Sequence, residues 1–394
     1  MSTAIDRLGS GHPPIREQIS RLPDSKIRTI SLKGAGRPDL IPLWFGESDE
    51  PTPDFIKRAA AAALAADHTF YAPNSGVPEL RAEIVAYMNR TYGLSVALDR
   101  ITVTTSGMHG IMLVMQALID PGDTVAVVGP VWPNCRETVR ILGGAPTDVT
   151  LRERDGRWHL DSQELFDACG PRTRAIFINS PGNPTGWMMS AAQQAEILDF
   201  CRRRGIWIVT DDVYARLVYD RDPAPSFIAL AEPDDAVIAV NSFSKSWSMT
   251  GWRLGWLTAP ADLVTDFAKL NEYNLAGPTT FVQHAGAVAL RDGDAYIGDL
   301  VERLRRRRDL VSQRLSAFPR VRFAPPEAAF YAFFAVAGEP DSVAFAERIL
   351  AETGVGLAPG AAFGPAGEGY LRLCFASSER SLSAAMDRLE PYLS

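Results

Sequence analysis

The sequence predicts an α/β fold, in which a mostly parallel sheet is sandwiched between helices and is followed by a smaller α+β part. Short apolar, β-branched runs recur and are separated by segments with helical spacing, which is typical of a parallel sheet covered on both faces. From about residue 290 the order changes to helix, strands, helix. The predicted strands are ITVT (101–104), TVAVVG (124–129), AIFIN (175–179), IWIVTD (206–211) and AVIAVNSF (236–243).

Helical patterns lie before and between these strands. FIKRAAAAALAA (55–66) is rich in alanine, the strongest helix former. ELRAEIVAYMNRTYG (79–93) has apolar residues at helical spacing and ends at a glycine, a frequent C-cap. AAQQAEILDFCRRRG (191–205) separates two strands. The basic run Arg305–Arg308 lies in a further helical pattern, and we interpret it as a solvated helix face.

The length of 394 residues exceeds one simple core, so two domains are expected. We predict an N-terminal arm and part of the small domain in residues 1–54, a large domain in 55–288 and a small C-terminal domain in 289–394. The small domain would then be built from the two chain ends.

Composition excludes several classes of function. The net charge of −7 disfavours nucleic acid and anionic membranes as partners, because both need a concentrated basic face. The four cysteines form no C-x-x-C pair and the five histidines show no ligand spacing, so no metal site is predicted. No apolar run reaches the roughly 18–20 residues of a spanning helix, and the start lacks a signal-type stretch. We expect a soluble protein in a reducing, cytoplasmic setting.

Polar residues follow each predicted strand. In parallel α/β sheets, ligands bind beyond the carboxyl ends of the strands, so these residues should converge. The segments are SGMHG (106–110), GPVWPN (129–134), NSPGNPTG (179–186), DDVY (211–214) and SFSK (242–245).

Three of these segments contain residues suited to catalysis or ligand binding. A lone lysine is most often a surface charge, but Lys245 is flanked by hydroxyls and followed by Arg253. Hydroxyls and a guanidinium suit a phosphate, since arginine matches phosphate oxygens with two parallel bonds. Asp211 ends an apolar strand, where it would either cap a helix or face a protonated ring nitrogen. Trp132 lies between prolines, as a core aromatic or as a plate stacked on a planar ring.

These motifs together resemble the pyridoxal-phosphate-dependent aminotransferases of fold type I, class I/II, the aspartate aminotransferase-like family. The resemblance runs from about Leu43 to Phe375. Lys245, seven residues and Arg253 match the family's S-x-S-K-(seven)-R pattern. The other matching segments are NPTG (183–186), DDVY (211–214), GESDEPTP (46–53), YAPNSGVPELR (71–81) and YLRLCF (370–375).

The resemblance implies pyridoxal 5'-phosphate as the cofactor and a role for each matching residue. Lys245 would bond the cofactor's aldehyde carbon and later move the substrate's α-proton. Asp211 would pair with the ring nitrogen. Tyr214 and Asn183 would bind the ring's phenolic oxygen, and Trp132 would stack on the ring.

The remaining implied roles concern the phosphate and the substrate. The residues implied at the phosphate are Ser106, Gly107, Met108, Ser242 and Arg253. Tyr71 would reach the phosphate of the other subunit's cofactor, which implies a homodimer. Arg372 would bind the substrate α-carboxylate with help from Asn183 and the Gly46 backbone.

Met108 departs from the aspartate-specific bacterial subgroup, in which the matching residue is a lysine that binds the distal carboxylate. Methionine cannot pair with a carboxylate, so aspartate specificity would require another cation, for which Arg28 is a candidate. An apolar side-chain pocket would be lined by Trp44, Phe45, Tyr273 and Phe281.

The motifs do not separate transamination from a C–S β-lyase or a cyclopropane-forming synthase, which use the same cofactor. A pyridoxal-binding transcription regulator would need a DNA-binding domain ahead of the core, whereas the segment before residue 46 is short. A non-catalytic relative would most easily lose Lys245. We therefore predict a ping-pong amino acid:2-oxo acid transaminase for neutral, aromatic or a broad range of L-amino acids, with an aspartate-specific enzyme or a β-lyase as the alternatives.

Overall fold

The structure is a computed structural model that describes residues 15–394. Its α-helices are α1 (Glu17–Ser20), α2 (Lys26–Lys33), α3 (Asp54–Ala65), α4 (Pro78–Tyr92), α5 (Gly107–Leu118), α6 (Asn134–Ile141), α7 (Ser162–Asp167), α8 (Ala191–Arg204), α9 (Val264–Leu275), α10 (Thr280–Asp292), α11 (Asp294–Ala317), α12 (Ser342–Thr353) and α13 (Glu379–Leu393).

Strands make up the remaining regular structure, apart from short 3-10 turns. They are β1 (Ile41–Pro42), β2 (Ile101–Thr104), β3 (Thr124–Gly129), β4 (Ala145–Thr150), β5 (Arg152–Arg154), β6 (Arg157–His159), β7 (Thr173–Asn179), β8 (Trp207–Asp211), β9 (Val237–Ser242), β10 (Gly255–Thr258), β11 (Val321–Phe323), β12 (Tyr331–Val336), β13 (Val355–Gly356), β14 (Ala358–Pro359) and β15 (Tyr370–Cys374).

The central sheet has seven strands in the order β2-β10-β9-β8-β7-β3-β4. Only β10 runs antiparallel to its neighbours, so the sheet is mostly parallel, as predicted. Alternate residues of one strand enter different cores: Phe177 packs on one face, and Ile176 and Ile178 pack on the other. This period of two matches a sheet buried on both sides.

All five predicted strands are present, and β7 begins at Thr173, two residues before the predicted start. Sequence reasoning misses β4 and β10. Strand β4 is half exposed and carries polar residues, and β10 is a short run that begins at Gly255. Strand β4 therefore lacks the continuous apolar texture of the predicted strands, and β10, although buried at all four positions, has glycine and threonine at its ends.

The three helices predicted from residues 55–66, 79–93 and 191–205 are α3, α4 and α8. Gly93 and Gly205 follow α4 and α8 in the left-handed conformation, with φ of 67° and 64°. Glycine adopts this conformation without the steric cost of a Cβ atom, which explains why both helices end there.

The C-terminal part contains a four-stranded antiparallel sheet in the order β11-β12-β15-β14, which confirms the smaller α+β part. Strand β1 pairs in parallel with β13, so the N-terminal segment joins the C-terminal part of the chain. The domain boundaries stay a prediction, and residues 1–14 of the predicted arm lie outside the described residues.

The predicted solvated face at Arg305–Arg308 is wrong for Arg307. Its side chain is buried in α11 and pairs with Glu50 at 2.9 Å and with Asp49 at 3.7 Å. The segment around Asp49 and Glu50 crosses α11, and this tertiary contact leaves no trace in the local pattern. Across residues 15–394, the structure contains no helix with both the length and the apolar character that a bilayer span requires.

Candidate active site

The residues that follow the five predicted strands meet at one cavity of about 270 Å³, as predicted. The cavity lies at the carboxyl ends of β3, β7, β8 and β9, which is where an open α/β sheet binds its ligands. Eleven predicted site residues line it, namely Gly46, Gly107, Met108, Trp132, Asn183, Asp211, Tyr214, Ser242, Lys245, Arg253 and Arg372.

Lys245 lies three residues after β9, and its Nζ donates to the carbonyl oxygen of Gly46 at 2.5 Å. Burial, together with smaller effects of the Arg372 and Arg253 cations, lowers the pKa of this amine to about 8. An amine with this pKa is partly neutral near neutral pH. Lys245 is therefore suited to act as a nucleophile and as a proton acceptor.

Asp211 is 8% exposed at the end of β8, and its carboxylate accepts the Val213 N–H at 3.2 Å. No helix begins there, so the helix-cap alternative is wrong. Burial raises the pKa of Asp211 to about 7, and among the described residues no ion pair to it exists. The next residue, Asp212, is instead held by the hydroxyls of Thr210 and Ser226 at 2.6 and 2.7 Å. Asp211 is thus the carboxylate available to a cationic ligand.

Arg372 is 2% exposed on β15. Its Nη1 donates to Asn183 Oδ1 at 2.8 Å, its Nη2 donates to the carbonyl oxygen of Trp44, and its buried Nε has no partner within the described part of the chain. A buried guanidinium is costly unless an anion or further acceptors satisfy it. The arrangement therefore fits an anionic ligand such as a carboxylate.

Asn179 fixes the loop that carries Asn183. Its Oδ1 accepts the Asn183 N–H at 2.8 Å, and its Nδ2 donates to the Asp211 carbonyl oxygen at 3.0 Å. The carbonyl oxygen of Asn183 in turn accepts the Trp132 N–H at 3.0 Å. Three strand ends are thereby held together, although Asn179 itself is absent from the sequence-based prediction.

Tyr331 is a second residue that the prediction misses. Its hydroxyl lies 2.7 Å from the hydroxyl of Tyr214, and its ring centroid lies 4.5 Å from the Arg372 guanidinium carbon. The sequence around it, FYAFF, reads as an apolar strand, and the strand is indeed β12. The one signal available is the polar hydroxyl within that apolar run.

Hydroxyls and a guanidinium gather at the other end of the cavity. The Ser242 hydroxyl donates to the Ser244 hydroxyl at 2.9 Å, and Arg253 Nη1 lies 3.4 Å from the same Ser244 oxygen. Helix α5 begins beside them at Gly107, where a Cβ would lie only 3.1 Å from the Ser242 Cβ. A helix N-terminus, hydroxyls and arginine together are suited to bind a phosphate.

Some predicted residues do not line this cavity. Ser106 caps α5 by accepting the His109 N–H at 3.0 Å, and Tyr71 is 90% exposed. Of the apolar pocket that we predicted, only Phe45 lines the cavity. Trp44 is buried against Gly34 and Gly356, Tyr273 is exposed, and Phe281 lines an adjoining cavity.

Comparisons with known proteins agree with this geometry. The sequence profile of the family described as aminotransferase class I and II matches residues 38–389. The chain is 34% identical to the aspartate aminotransferase of Pyrococcus horikoshii, over 96% of this chain and 97% of the relative. It is also 34% identical to the aromatic-amino-acid aminotransferase 2 of Thermococcus litoralis, over 96% and 98% of the two chains.

A solved structure shares the fold. A single mutant of the aspartate aminotransferase of Thermus thermophilus superposes with a TM-score of 0.91 and 32% identity, and covers 97% of this chain and 100% of that chain. The profile and both relatives extend over nearly the whole chain, so the match includes the central sheet, the C-terminal sheet and the cavity between them. The chain is an aminotransferase and belongs to the class I and II aminotransferase family.

Proposed function

We propose that the chain is a pyridoxal-phosphate-dependent transaminase that moves the amino group of a neutral or aromatic L-amino acid to a 2-oxo acid. The observation that carries this proposal is one cavity that joins three groups. They are an amine whose pKa is lowered to about 8, and, among residues 15–394, a buried carboxylate without an ion-pair partner and a buried guanidinium whose Nε has no hydrogen-bond partner.

These groups suit the cofactor's three polar ends. Asp211 would hold the ring nitrogen's proton, the cluster of Ser242, Ser244 and Arg253 would bind the phosphate, and Lys245 Nζ would bond the aldehyde carbon. When bound, the cofactor supplies an electron-accepting ring that stabilises the negative charge left on the substrate's α-carbon. Tyr214 would donate its hydroxyl to the ring's phenolic oxygen.

Residues of the chain itself would bind the substrate and move its proton. Arg372 holds the α-carboxylate, and Asn183 fixes the plane of that guanidinium through its 2.8 Å bond. With the substrate held at Arg372, Lys245 Nζ would accept the α-proton as a general base. Because the 2-oxo acid product and the second 2-oxo acid both need Arg372, the product must leave first, which gives a ping-pong sequence.

Apolar residues support a neutral or aromatic donor. Ile27, Phe45, Met108 and Ile111 line the cavity, and none of them can pair with a distal carboxylate. One observation favours the aspartate-specific alternative: the Arg28 guanidinium carbon lies 5.9 Å from the centroid of the Phe45 ring. Phe45 lines the cavity, so the Arg28 cation lies next to a residue of the cavity wall.

Exposed aromatic residues support a homodimer. Phe70, Tyr71 and Tyr273 are each more than three-quarters exposed, and large exposed apolar groups mark interaction surfaces. Sedimentation should give twice the monomer mass, and a monomer at micromolar concentration would contradict this assembly. The four cysteines are free and buried, which supports a reducing, cytoplasmic setting.

A donor panel with 2-oxoglutarate as acceptor tests the proposed function. Phenylalanine, tyrosine, leucine and methionine should be converted to 2-oxo acids with kcat/KM above that for aspartate. A preference for aspartate would favour the alternative. Release of pyruvate and ammonia from a cysteine-type donor without any acceptor would instead identify a β-lyase.

A further inference from the structure

A second cavity of about 540 Å³ adjoins the reaction cavity. Met108 lines both, and Met112, one turn further along α5, lines only the second. Two other segments also border both cavities. Ile27 lines the reaction cavity and its neighbour Lys26 lines the second, and Trp132 lines the reaction cavity while its neighbour Pro133 lines the second. Three separate segments therefore form a shared boundary, and Met108 is the residue that lines both cavities.

Volume limits what the reaction cavity can hold. Its 270 Å³ lies below the roughly 300–1,000 Å³ that drug-sized ligands occupy, and this space must accept both a cofactor and an amino acid. A donor side chain longer than a few carbons therefore needs additional space. A third cavity of about 740 Å³ shares Ser244, Lys245 and Arg253 with the first, so it lies at the phosphate end. The second cavity instead adjoins Ile27 and Met108, two of the apolar residues assigned above to the donor's side chain.

The second cavity has a mixed lining in which apolar surface is in excess, although Asp24, Lys26 and Glu368 also line it. Met112, Pro133, Ile141 and Ala362 contribute carbon and sulfur surface. The arginines that also line it are already paired: Arg140 with Glu137 at 2.5 Å, and the buried Arg136 with Asp148 at 2.9 Å. Paired cations attract a further anion weakly, so the part of the lining formed by Met112, Pro133, Ile141 and Ala362 is the part suited to an apolar group.

We propose that this second cavity is a distal subsite for the donor's side chain, and that Met108 is the gate through which long unbranched or arylalkyl side chains reach it. Methionine is suited to a gate because its unbranched side chain has three rotatable bonds and adapts to irregular space. The inference rests on the proposed function, since it places the α-carboxylate at Arg372 and the side chain beyond Met108.

A series of non-reactive ω-phenyl carboxylates, from phenylacetate to 6-phenylhexanoate, tests the subsite in the unaltered holoenzyme by calorimetry. The carboxylate binds at Arg372, and each added methylene should tighten Kd about threefold to fourfold until the second cavity is filled. Affinity that peaks at phenylacetate and falls with every longer member would overturn the subsite.

Two variants of Met112 give a second test. Met112→Trp fills the second cavity, and Met112→Leu keeps its volume as the matched control. In Met112→Trp, kcat/KM for 2-amino-5-phenylpentanoate should fall at least about tenfold while alanine stays within about twofold; Met112→Leu should leave both donors unchanged. Equal losses for both donors, or no loss for either, would contradict the proposal.

The two proposals fail in different ways. If no donor of any length is transaminated, the proposed function is wrong, yet the carboxylate series still decides on the subsite because it requires binding alone. If alanine reacts but longer donors do not, transamination stands and the subsite is wrong.

Discussion

Arg372 donates from Nη1 to Asn183 Oδ1 at 2.8 Å, and this bond connects β15 of the C-terminal sheet to the loop after β7 of the central sheet. The two sheets thus share one anion-binding group. Arg372→Lys should lower kcat/KM about 100-fold for every donor, because lysine cannot form two parallel bonds and leaves Asn183 without a partner. Steady-state kinetics check this, with the exposed Arg322→Lys as a control expected within about twofold. A loss confined to one donor would contradict a carboxylate role.

Asp211 gives a pH-dependent prediction. Because burial raises its pKa from 3.8 to about 7, the folded apoenzyme binds a proton that the unfolded chain has released between these values. This contribution to stability is complete below about pH 4 and is lost as pH rises through 7. The asparagine of Asp211→Asn does not titrate, so the free energy of unfolding of this variant should rise relative to that of the unaltered apoenzyme between pH 4 and pH 7. At about 1.4 kcal/mol per pKa unit, the relative gain is a few kcal/mol. Urea unfolding across this range measures the difference, and a pH-independent difference would refute it.

Substitution of Arg28 distinguishes an enzyme for neutral donors from an aspartate-specific enzyme. If the cavity wall at Phe45 binds an apolar donor side chain, Arg28→Met should change kcat/KM for phenylalanine and for aspartate by less than about threefold. An enzyme that uses Arg28 to hold a distal carboxylate would lose at least about 100-fold on aspartate alone. Lys33→Met, at an exposed lysine in the same helix, is the matched control for loss of a positive charge.

Gly46 has no room for a side chain. A Cβ there would lie 2.0 Å from the Tyr331 hydroxyl oxygen, so Gly46→Ala must displace Tyr331 and break its 2.7 Å bond to Tyr214. Overpacking of this kind costs about 1–3 kcal/mol. Removal of the hydroxyl in the double variant with Tyr331→Phe should restore part of that loss. Thermal unfolding of the four proteins gives the coupling, and purely additive effects would contradict the contact.

The sequence predicts the strand ends well because buried parallel strands are continuous apolar runs, and a polar residue at the end of such a run is conspicuous. Lys245 and Arg253 also stand out, since their spacing and the hydroxyls of Ser242 and Ser244 beside Lys245 are local in sequence. Arg372 is different. It lies in an apolar strand remote from Asn183 in sequence, so only the family resemblance identifies it.

Tyr331, Asn179 and the buried Arg307 show where local patterns fail. Tyr331 and Asn179 act through partners that tertiary packing brings together, and each one looks like an ordinary core or loop residue by itself. Arg307 looks like part of a solvated run, but Glu50 reaches it from a distant segment. Strand β10 is as short as the predicted β2, but its sequence, GWLT, begins with glycine and contains no β-branched apolar residue.

The central claim is that Lys245 bonds the cofactor. Incubation of the protein with pyridoxal phosphate, reduction with borohydride and peptide mass spectrometry test it directly. We predict one phosphopyridoxyl group per chain, on Lys245, with none retained by Lys245→Ala, which should fold and yet lack transaminase activity. Label spread over exposed lysines such as Lys57 and Lys269, or transamination by Lys245→Ala near the rate of the unaltered enzyme, would contradict the account.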